Sequence, residues 1–314
     1  MSSQQSIGQE CTSGNSQAPT LTAHPARETR LGELIISRAL PIRERRMVGP
    51  WCFLDRFGPL AFADEKPMNV PPHPHIGLQT VTWLLEGEVL HTDSLGSTAT
   101  VRPGGVNVMT AGQGIAHAEE TPTHHSGKLS GVQLWVALSD VHRHTTPAFT
   151  CVEQVPIYET RGSLVSLFAG MLDDNISPAP HFSELLGAQV QVHPRHSTAL
   201  PLKRQFEHAL LLLEGDCNLE HQTLSQMTLY YLGACRESLN LASQNGCQLL
   251  LIGGPPFPEK ILMWWNFVAR TPEEIRQARD DWENHRRFGK VKGTRLKRLS
   301  SPDLGRLAPP NPVS

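Results

Sequence analysis

The sequence predicts an all-β fold made of two successive series of short strands, followed by one helix. Two observations predict the strands. Short apolar runs recur at close intervals, and Gly-rich turns such as 86–88 and 103–105 separate them. A third observation is the Thr-Pro-Glu-Glu sequence at 271–274, which is typical of a helix N-terminus. Closely spaced strands without intervening helices indicate an antiparallel sandwich or barrel rather than βαβ units.

Length and composition limit the function classes. The 314 residues suffice for one large domain or two ordinary ones. The 28 basic and 30 acidic residues are nearly balanced, so the sequence gives no general signal for nucleic-acid binding. The six cysteines are scattered, which argues against a disulfide scaffold or a zinc ribbon. Because there is neither a secretory signal nor an apolar run of about 20 residues, we expect a cytoplasmic protein without a membrane partner, or a nuclear one if the source is eukaryotic.

The first half predicts a tail and then short strands. Residues 1–29 are expected to be a disordered tail, because the first twenty are rich in Ser and Gln. The segment 57–70 carries a glycine and two prolines among its residues and is expected to be a loop. Around this loop the pattern predicts an apolar segment at 51–54 and strands at 34–36, 40–42, 78–85, 89–92, 99–101, 106–110 and 132–137.

The C-terminal region changes character. Thr271 is a suitable N-cap, Pro272 suits the first helical position, and Glu274 completes a capping box, so a helix should start here and end near Gly289. The basic run at 290–298 is interpreted as a solvated tail, with a docking or nuclear-targeting patch as the alternative.

Two pairs of metal-ligating residue types stand out in the first half. His73 and His75 are two residues apart, and so are His117 and Glu119. In a strand, residues i and i+2 point to the same face, so each pair would present its donors to one point. Three imidazoles and one carboxylate form a plausible site for a divalent first-row metal.

The second series of strands, at 164–253, carries a weak echo of the first. Residues 212–215 repeat the Leu-Leu-Glu-Gly of residues 84–87, an offset of 212 − 84 = 128. Chance similarity in Leu-rich sequence is the alternative to duplication. The same offset carries the first histidine pair onto Pro201 and Lys203, so a related second half would lack this metal site.

Several blocks in order resemble the pirin family of the cupin superfamily. The matching segments extend from about residue 30 to residue 287 and are residues 46–50, 72–75, 84–88, 91–94, 109–112, 114–119 and 264–269. The resemblance implies two tandem jelly-roll (cupin) β-barrel domains packed face to face. It places a metal-binding domain at 30–150, a metal-free domain ending in the helix at 151–288, and a basic, Pro-rich tail at 289–314. We expect a monomer.

The resemblance also implies the ligands and the metal. Carried over residue by residue, the family's ligands fall on His73, His75, His117 and Glu119, and iron(II) is the metal that the family implies. Imidazole and carboxylate equally suit Mn, Co, Ni, Cu or Zn, so the ligand set alone leaves the metal open. Four protein ligands on a six-coordinate ion leave two positions for substrate and dioxygen.

The neighbours of the ligands are less regular. If His75 continues into a regular strand, Gln79 and Trp83 lie on the metal side, as a residue supporting a ligand and as part of an apolar wall. Core packing is the alternative for Trp83. His91 keeps the family pattern, with turn formation as its alternative role. The chain departs from the usual family pattern at Ile76, Leu78, Gln79 and Gln113.

The resemblance implies a ring-cleaving dioxygenase similar to quercetin 2,3-dioxygenases. In that hypothesis Glu119 deprotonates the 3-hydroxyl of a flavonol-like aromatic substrate, the metal binds the oxyanion, and dioxygen adds with loss of carbon monoxide. The alternative is a non-enzymatic, metal- or redox-responsive partner of transcription regulators. An inactive cupin with a structural metal is a third possibility.

Overall fold

The computed structural model describes residues 20–31, 34–62, 68–305 and 307. The strands up to residue 152 are β1 (Thr22–Pro25), β2 (Arg27–Leu31), β3 (Leu34–Leu40), β4 (Trp51–Ala61), β5 (Asn69–His75), β6 (Leu78–Gly87), β7 (Val89–Asp93), β8 (Thr98–Val101), β9 (Val106–Thr110), β10 (Ile115–Glu120), β11 (Lys128–Ala137) and β12 (Ala148–Val152). The later elements are β13 (Ile157–Thr160), β14 (Ser163–Leu172), β15 (Asn175–Ile176), β16 (Leu186–Val192), β17 (His196–Pro201), β18 (Glu207–Gly215), β19 (Asn218–Leu219), β20 (Gln222–Thr223), β21 (Thr228–Gly233), β22 (Ser238–Ser243), β23 (Cys247–Gly254), β24 (Leu262–Trp264), β25 (Phe267–Ala269) and helix α1 (Pro272–Glu283).

The first half forms a barrel of two antiparallel sheets. The larger sheet has the order β12-β9-β6-β11-β4-β3-β2, and the smaller has the order β5-β10-β7-β8. Buried side chains from both sheets, such as Phe57 and Leu84 from one and Val70 and Val89 from the other, close one end of the barrel. The predicted domain boundary after residue 150 falls inside β12, which still belongs to this half.

The second half repeats this plan. Its larger sheet has the order β1-β21-β18-β23-β16-β14-β13, with β15 added to β14, and its smaller sheet has the order β17-β22-β19-β20. Buried leucines and valines fill the space between the two sheets. The prediction of an all-β fold with one C-terminal helix is therefore confirmed.

The large sheets of the two halves share one hydrophobic core. Trp83 from β6 stacks on Phe168 from β14, with ring centroids 5.2 Å apart. The indole N–H of Trp51 lies 3.1 Å from the carbonyl oxygens of both Leu186 and Gly253. The indole nitrogen of this buried ring thus has hydrogen-bond partners in the other half, so polar as well as apolar contacts hold the two halves face to face.

Both ends of the described chain cross to the opposite half. Strand β1 pairs with β21 of the second half, from Thr22 opposite Tyr231 to Pro25 opposite Thr228. The prediction of a disordered tail to residue 29 is therefore wrong for residues 22–29, since β1 and β2 both find sheet partners; residues 1–19 lie outside the described residues. Helix α1 and strand β25 instead pack on the first half, in a cluster that includes Ile76.

The C-terminal basic run keeps Lys290, Lys292, Arg295 and Lys297 exposed to solvent, but its backbone is attached to the first half. The backbone N–H of Lys292 contacts the carbonyl of Asp93 at 3.3 Å, and that of Leu299 donates to the carbonyl of Pro72 at 2.9 Å. Val291 is buried among the apolar side chains of the first half. The prediction rested on the basic residues of the run, whereas apolar residues between them, such as Val291, pack on the first half.

Two other local predictions are wrong, and one is confirmed. Of the predicted loop 57–70, residues 57–61 belong to β4 and residues 69–70 to β5, and residues 63–67 lie outside the described residues. Gly58 adopts φ +72° and lets the backbone of Leu129 approach closely. The segments 34–36 and 40–42 are not two strands, since β3 is continuous and ends at Leu40. The helix starts as predicted, with both hydrogen bonds of the capping box formed, but it ends at Glu283 and not near Gly289.

Within the described ranges, no helix has the length and apolar character needed to cross a bilayer.

Candidate metal centre

Three histidines converge in the first barrel. His73 and His75 lie at the end of β5, and His117 lies on the neighbouring β10, directly opposite His73 in the register. One nitrogen of each ring lies within 4.8 Å of the others, and the Nε2 atoms of His75 and His117 are 3.1 Å apart. Period-two geometry in two paired strands thus brings together three of the four predicted ligands.

Backbone carbonyls hold the outward nitrogens of the first two rings. Nδ1 of His73 lies 2.8 Å from the carbonyl oxygen of Pro71, and Nδ1 of His75 lies 3.1 Å from that of Asn266. A carbonyl can only accept a hydrogen bond, so Nδ1 carries the proton in both rings and Nε2 keeps its lone pair. Such outer contacts fix the tautomer and ring orientation of a metal ligand.

A longer chain of polar contacts fixes the third ring. Nε2 of His91 lies 3.3 Å from the carboxylate of Asp93, which makes that nitrogen the donor. Nδ1 of a neutral His91 is then an acceptor, and it lies 3.3 Å from Nδ1 of His117. His117 therefore donates from Nδ1 and points the lone pair of Nε2 toward the other imidazoles. This arrangement favours a supporting role for His91 over simple turn formation.

Glu119 lies beside this group but not within it. The register of β10 against β5 shifts between His117 and Glu119, because three steps along β5, from His73 to Val70, face two along β10; the register of β10 against β7 stays regular. The Glu119 carboxylate instead accepts a hydrogen bond from the hydroxyl of Thr82 at 3.2 Å and lines the same cavity as the histidines. The two-residue spacing places Glu119 on the cavity side with His117, although Glu119 is not one of the three residues whose ligand atoms all lie within 4.8 Å of one another.

Burial controls the protonation of these groups. Loss of solvation lowers the pKa of His73 to about 4 and places the pKa values of His75 and His117 well below the ordinary histidine value. The same burial raises the pKa of Glu119 above that of an ordinary glutamate. The imidazoles are thus neutral near pH 7, the form in which histidine binds metals.

The histidines line a cavity of about 380 Å³, within the range of small-molecule sites. Part of its wall is the stacked pair Phe53 and Trp135, whose rings are nearly parallel with centroids 3.9 Å apart. Trp135 also meets His75 edge-on at 5.2 Å. The cavity is lined by Ile36, Arg38, Phe53, Asp55, Phe57, Met68, Val70, His73, His75, Thr80, His117, Glu119, Gln133, Trp135, Trp265, Asn266 and Leu299.

An ion pair is built into the cavity wall. Arg38 donates two hydrogen bonds to the carboxylate of Asp55, from Nε at 2.8 Å and from Nη2 at 2.7 Å. Its guanidinium also lies 4.5 Å from the centroid of the Phe53 ring. The bidentate pair holds the arginine, while its remaining N–H groups stay available to the cavity. Neither residue carries a signal in the sequence that would single it out.

The C-terminal segment contributes to the same cavity. Leu299 lines it and accepts a hydrogen bond on its carbonyl from the indole of Trp282 at 2.8 Å. The guanidinium of Arg298 lies 3.8 Å from the centroid of that indole. A segment near residue 299 thus lines a cavity whose histidines lie more than 150 positions earlier in the chain.

Gln79 and Trp83 do not line the cavity of the histidines, and for Trp83 the structure shows the alternative, core packing. The Gln79 amide donates to Thr110 and to the carbonyl of Pro180 in the second half, and the Trp83 indole donates to Gln189 there. Both side chains therefore point into the contact between the halves.

A glycine turn explains the error. Gly77 at φ +69° turns the chain between β5 and β6, which belong to different sheets. The turn reverses which alternate residues of β6 face the histidines. Thr80 and Thr82 therefore face the site, and Gln79 faces away from it.

The donor set fits a divalent first-row metal. Three neutral imidazoles present Nε2 atoms to one point, each with its outer nitrogen held by a partner, and a carboxylate lies adjacent. No cysteine lines this cavity, so the chemistry is that of nitrogen and oxygen ligands.

Comparisons with known proteins agree with this arrangement. Residues 33–136 match the pirin family model, and residues 187–289 match the model of the pirin C-terminal cupin domain. A Pseudomonas aeruginosa protein named as a candidate quercetin 2,3-dioxygenase is 42% identical over 87% of each chain. A pirin-like protein of Caulobacter vibrioides is 38% identical over 82% of this chain and 91% of its own. The crystal structure of a quercetin 2,3-dioxygenase from Acinetobacter baumannii is similar with a TM-score of 0.89 at 38% identity, over 92% of this chain and 97% of that one.

Proposed function

The chain belongs to the pirin family, and we propose that it is a metal-dependent dioxygenase acting on flavonol-like aromatic substrates. One observation carries the proposal: three converging imidazoles open directly onto a cavity walled by the stacked rings of Phe53 and Trp135. A flat aromatic substrate would lie along these rings, with its hydroxyl group beside the imidazoles.

His73, His75 and His117 would hold the metal, with Glu119 as the fourth ligand and iron(II) as the metal that the family implies. The metal would supply the Lewis acidity that makes a phenolic hydroxyl acidic, together with the redox chemistry of dioxygen. The rest of the mechanism rests on the side chains around it.

Glu119 is the proposed base for the substrate hydroxyl. Its raised pKa brings its proton affinity closer to neutral pH, where a general base is most effective. Thr82 keeps the carboxylate in place through its hydroxyl. Because that hydroxyl also lies 2.9 Å from the side-chain oxygen of Gln133, it can turn its single proton there when Glu119 becomes protonated.

The cavity wall orients the substrate. Trp135 and the edge of Phe53 would contact its ring system, since the faces of Phe53 are covered by Trp135 and by the Arg38 guanidinium. The N–H groups of Arg38 that Asp55 leaves free would bind oxygen substituents of the substrate. Leu299 from the C-terminal segment would contact the substrate on another side. Orientation by fixed walls is what a ring-cleaving reaction needs, since substrate and dioxygen must meet in one geometry.

The test is oxygen uptake by the iron(II)-loaded protein over a panel of flavonols. We expect one dioxygen consumed and one carbon monoxide released per flavonol. His75→Ala should abolish both, whereas His124→Ala, which alters an exposed loop histidine, should change neither. Protein with a full complement of iron that consumes no oxygen with any flavonol would overturn the proposal.

A further inference from the structure

The C-terminal segment lines a separate cavity of about 430 Å³, together with helix α1 and strand β5. This volume lies within the range of small-molecule sites. The apolar part of the wall consists of Pro72, Trp282, Val291 and Leu296. Because the wall comes from both β5 and the C-terminal segment, the space is a cavity between two parts of the chain and not a flat surface.

The ionisable residues in this wall are all basic. They are His285, Lys290 and Arg298, and no carboxylate of the described residues lines the cavity. Glu283 acts on the charge of Arg298 from outside the wall, and its own carboxylate accepts the backbone N–H of Ser301 at 2.7 Å. The charge of the wall therefore favours an anion.

The rest of the basic run strengthens this preference. Residues 290–298 contain five lysines and arginines and no acidic residue. Within the part of the chain that the structure describes, none of these five side chains forms an ion pair. Lys290 is exposed, so its ammonium group is available to a ligand.

Arg298 is fixed in the wall and keeps hydrogen-bond donors free. Its guanidinium lies 3.8 Å from the centroid of the Trp282 ring, and its Nη1 donates to Nδ1 of His285 at 2.8 Å. Nη2 donates to the carbonyl of Trp282, so two of the five N–H groups of the guanidinium are used and the others remain.

His285 and Thr294 supply two further donors to this wall. Arginine stays protonated, so Nδ1 of His285 is the acceptor in its contact with Arg298, and Nε2 carries the proton of the imidazole. The hydroxyl of Thr294 accepts the backbone N–H of Leu296 at 3.1 Å and keeps its own proton to donate. The cavity thus combines two permanent cations with neutral donors.

The nearby end of helix α1 does not cancel this charge. Free carbonyls at a helix C-terminus would oppose an anion. The carbonyl of Trp282 is instead occupied by the backbone N–H of His285 at 3.1 Å and by Arg298. The carbonyls of Asp280 and Asp281 accept the backbone N–H groups of residues 284 and 286, at 3.0 and 2.7 Å.

We propose that this cavity binds a small, soluble phosphate monoester with an apolar body. Lys290 and Arg298 pair with the phosphate, because a dianion matches two cations and the planar guanidinium suits phosphate oxygens. His285 donates to the same group, and Val291 and Leu296 contact the apolar body. The site is independent of the dioxygenase proposal, because none of the four proposed metal ligands lines it.

Calorimetric titration of the full-length, metal-loaded protein with phenyl phosphate tests the site, with inorganic phosphate and phenol as matched probes. The titration is made at physiological ionic strength, where diffuse attraction to a basic surface is largely screened. Phenyl phosphate should bind about tenfold more tightly than either probe, since its charge and its apolar body both contribute.

Substitutions then locate the binding. Lys290→Met should weaken phenyl phosphate binding about tenfold, as loss of a charged partner does. Lys260→Met, which removes an exposed lysine outside this cavity, should leave it unchanged. Leu296→Ala should weaken binding of phenyl phosphate more than that of inorganic phosphate. A phosphate can also ligate a metal, so binding that persists in His75→Ala separates this cavity from the metal centre.

The opposite outcomes would each overturn the proposal. Equal affinity for phenyl phosphate and inorganic phosphate would indicate only a basic surface, and loss of binding in His75→Ala would assign it to the metal centre. Unchanged affinity in Lys290→Met would exclude this cavity. Co-sedimentation with vesicles that contain phosphatidic acid, without binding of phenyl phosphate, would indicate a membrane surface instead. Because Lys290 is exposed, its substitution gives an answer without disturbing the packing of the C-terminal segment.

Discussion

Replacement of His91 by phenylalanine tests the support of the metal centre without touching a ligand. His91 is 3% exposed and supplies the only acceptor that the described residues offer to Nδ1 of His117. Its ring is also stacked on Phe149, with centroids 4.1 Å apart and planes at 8°. Phenylalanine keeps that stacking but leaves the N–H of His117 buried and unpaired.

The size of the effect follows from that single lost contact. A buried donor left unpaired costs about 1–3 kcal/mol, and loss of a residue that orients a ligand lowers metal affinity about 10–100-fold, or about 1.4–2.7 kcal/mol. We therefore expect His91→Phe to bind cobalt(II) about 10–100-fold more weakly. Asp93 still accepts two backbone hydrogen bonds, from Leu95 and Ser97 at 2.9 Å each, so its turn should survive.

The assay is anaerobic competition for cobalt(II) against a chromophoric chelator. Phe149→Leu is the matched control, because it removes the stacking partner and leaves the hydrogen-bond chain intact. It should bind cobalt(II) as the unaltered protein does. Unchanged affinity in His91→Phe, or an equal loss in Phe149→Leu, would refute the reasoning that the hydrogen bond to His117 matters.

Three other predictions follow from the same structure. Arg38→Met should destabilise the protein by about 2–3 kcal/mol in urea unfolding, because Asp55 is left buried without its partner, and adding Asp55→Asn should restore part of the loss. The pKa of His208 is depressed on folding to about 4, so its contribution to stability is present above pH 6.5 and is lost as the pH falls toward 4; the unfolding free energy of His208→Leu should fall less over this interval, by up to about 3 kcal/mol. Glu119→Gln should lower kcat for flavonol oxygenation about 10²–10⁴-fold in samples of measured metal content, and an undiminished kcat would exclude Glu119 as the base.

Local sequence patterns predicted the structural features that are determined by residues close together in the chain. The two-residue spacing of His73 and His75 brought their rings together because β5 is regular there, and the cap at Thr271 formed because its partners lie within one turn. The order of short strands in the first half was also predictable. These features need no knowledge of distant residues.

Long-range geometry was not predictable from the same patterns. A Cβ atom at Gly77 would lie 2.1 Å from the carbonyl oxygen of Val268, so a strand far along the chain requires the glycine turn that inverted the predicted facing of Gln79. Period-two counting cannot detect such a contact. The same holds for Asn266, the acceptor for His75, which is separated from it by 191 positions.

The exchange of chain ends between the barrels affects how the protein is made. All four proposed ligands lie before residue 120, yet the carbonyl that orients His75 belongs to Asn266, and Leu299 lines the cavity. During synthesis the histidines leave the ribosome long before Asn266 and Leu299 do. Strand β1 likewise leaves the ribosome long before its partner β21. A nascent chain released after the first barrel would carry its ligands but lack a finished binding site. If the histidines hold a metal, we expect it to bind only after the C-terminal segment has been made, and we expect neither half to form the complete site when expressed as a separate fragment.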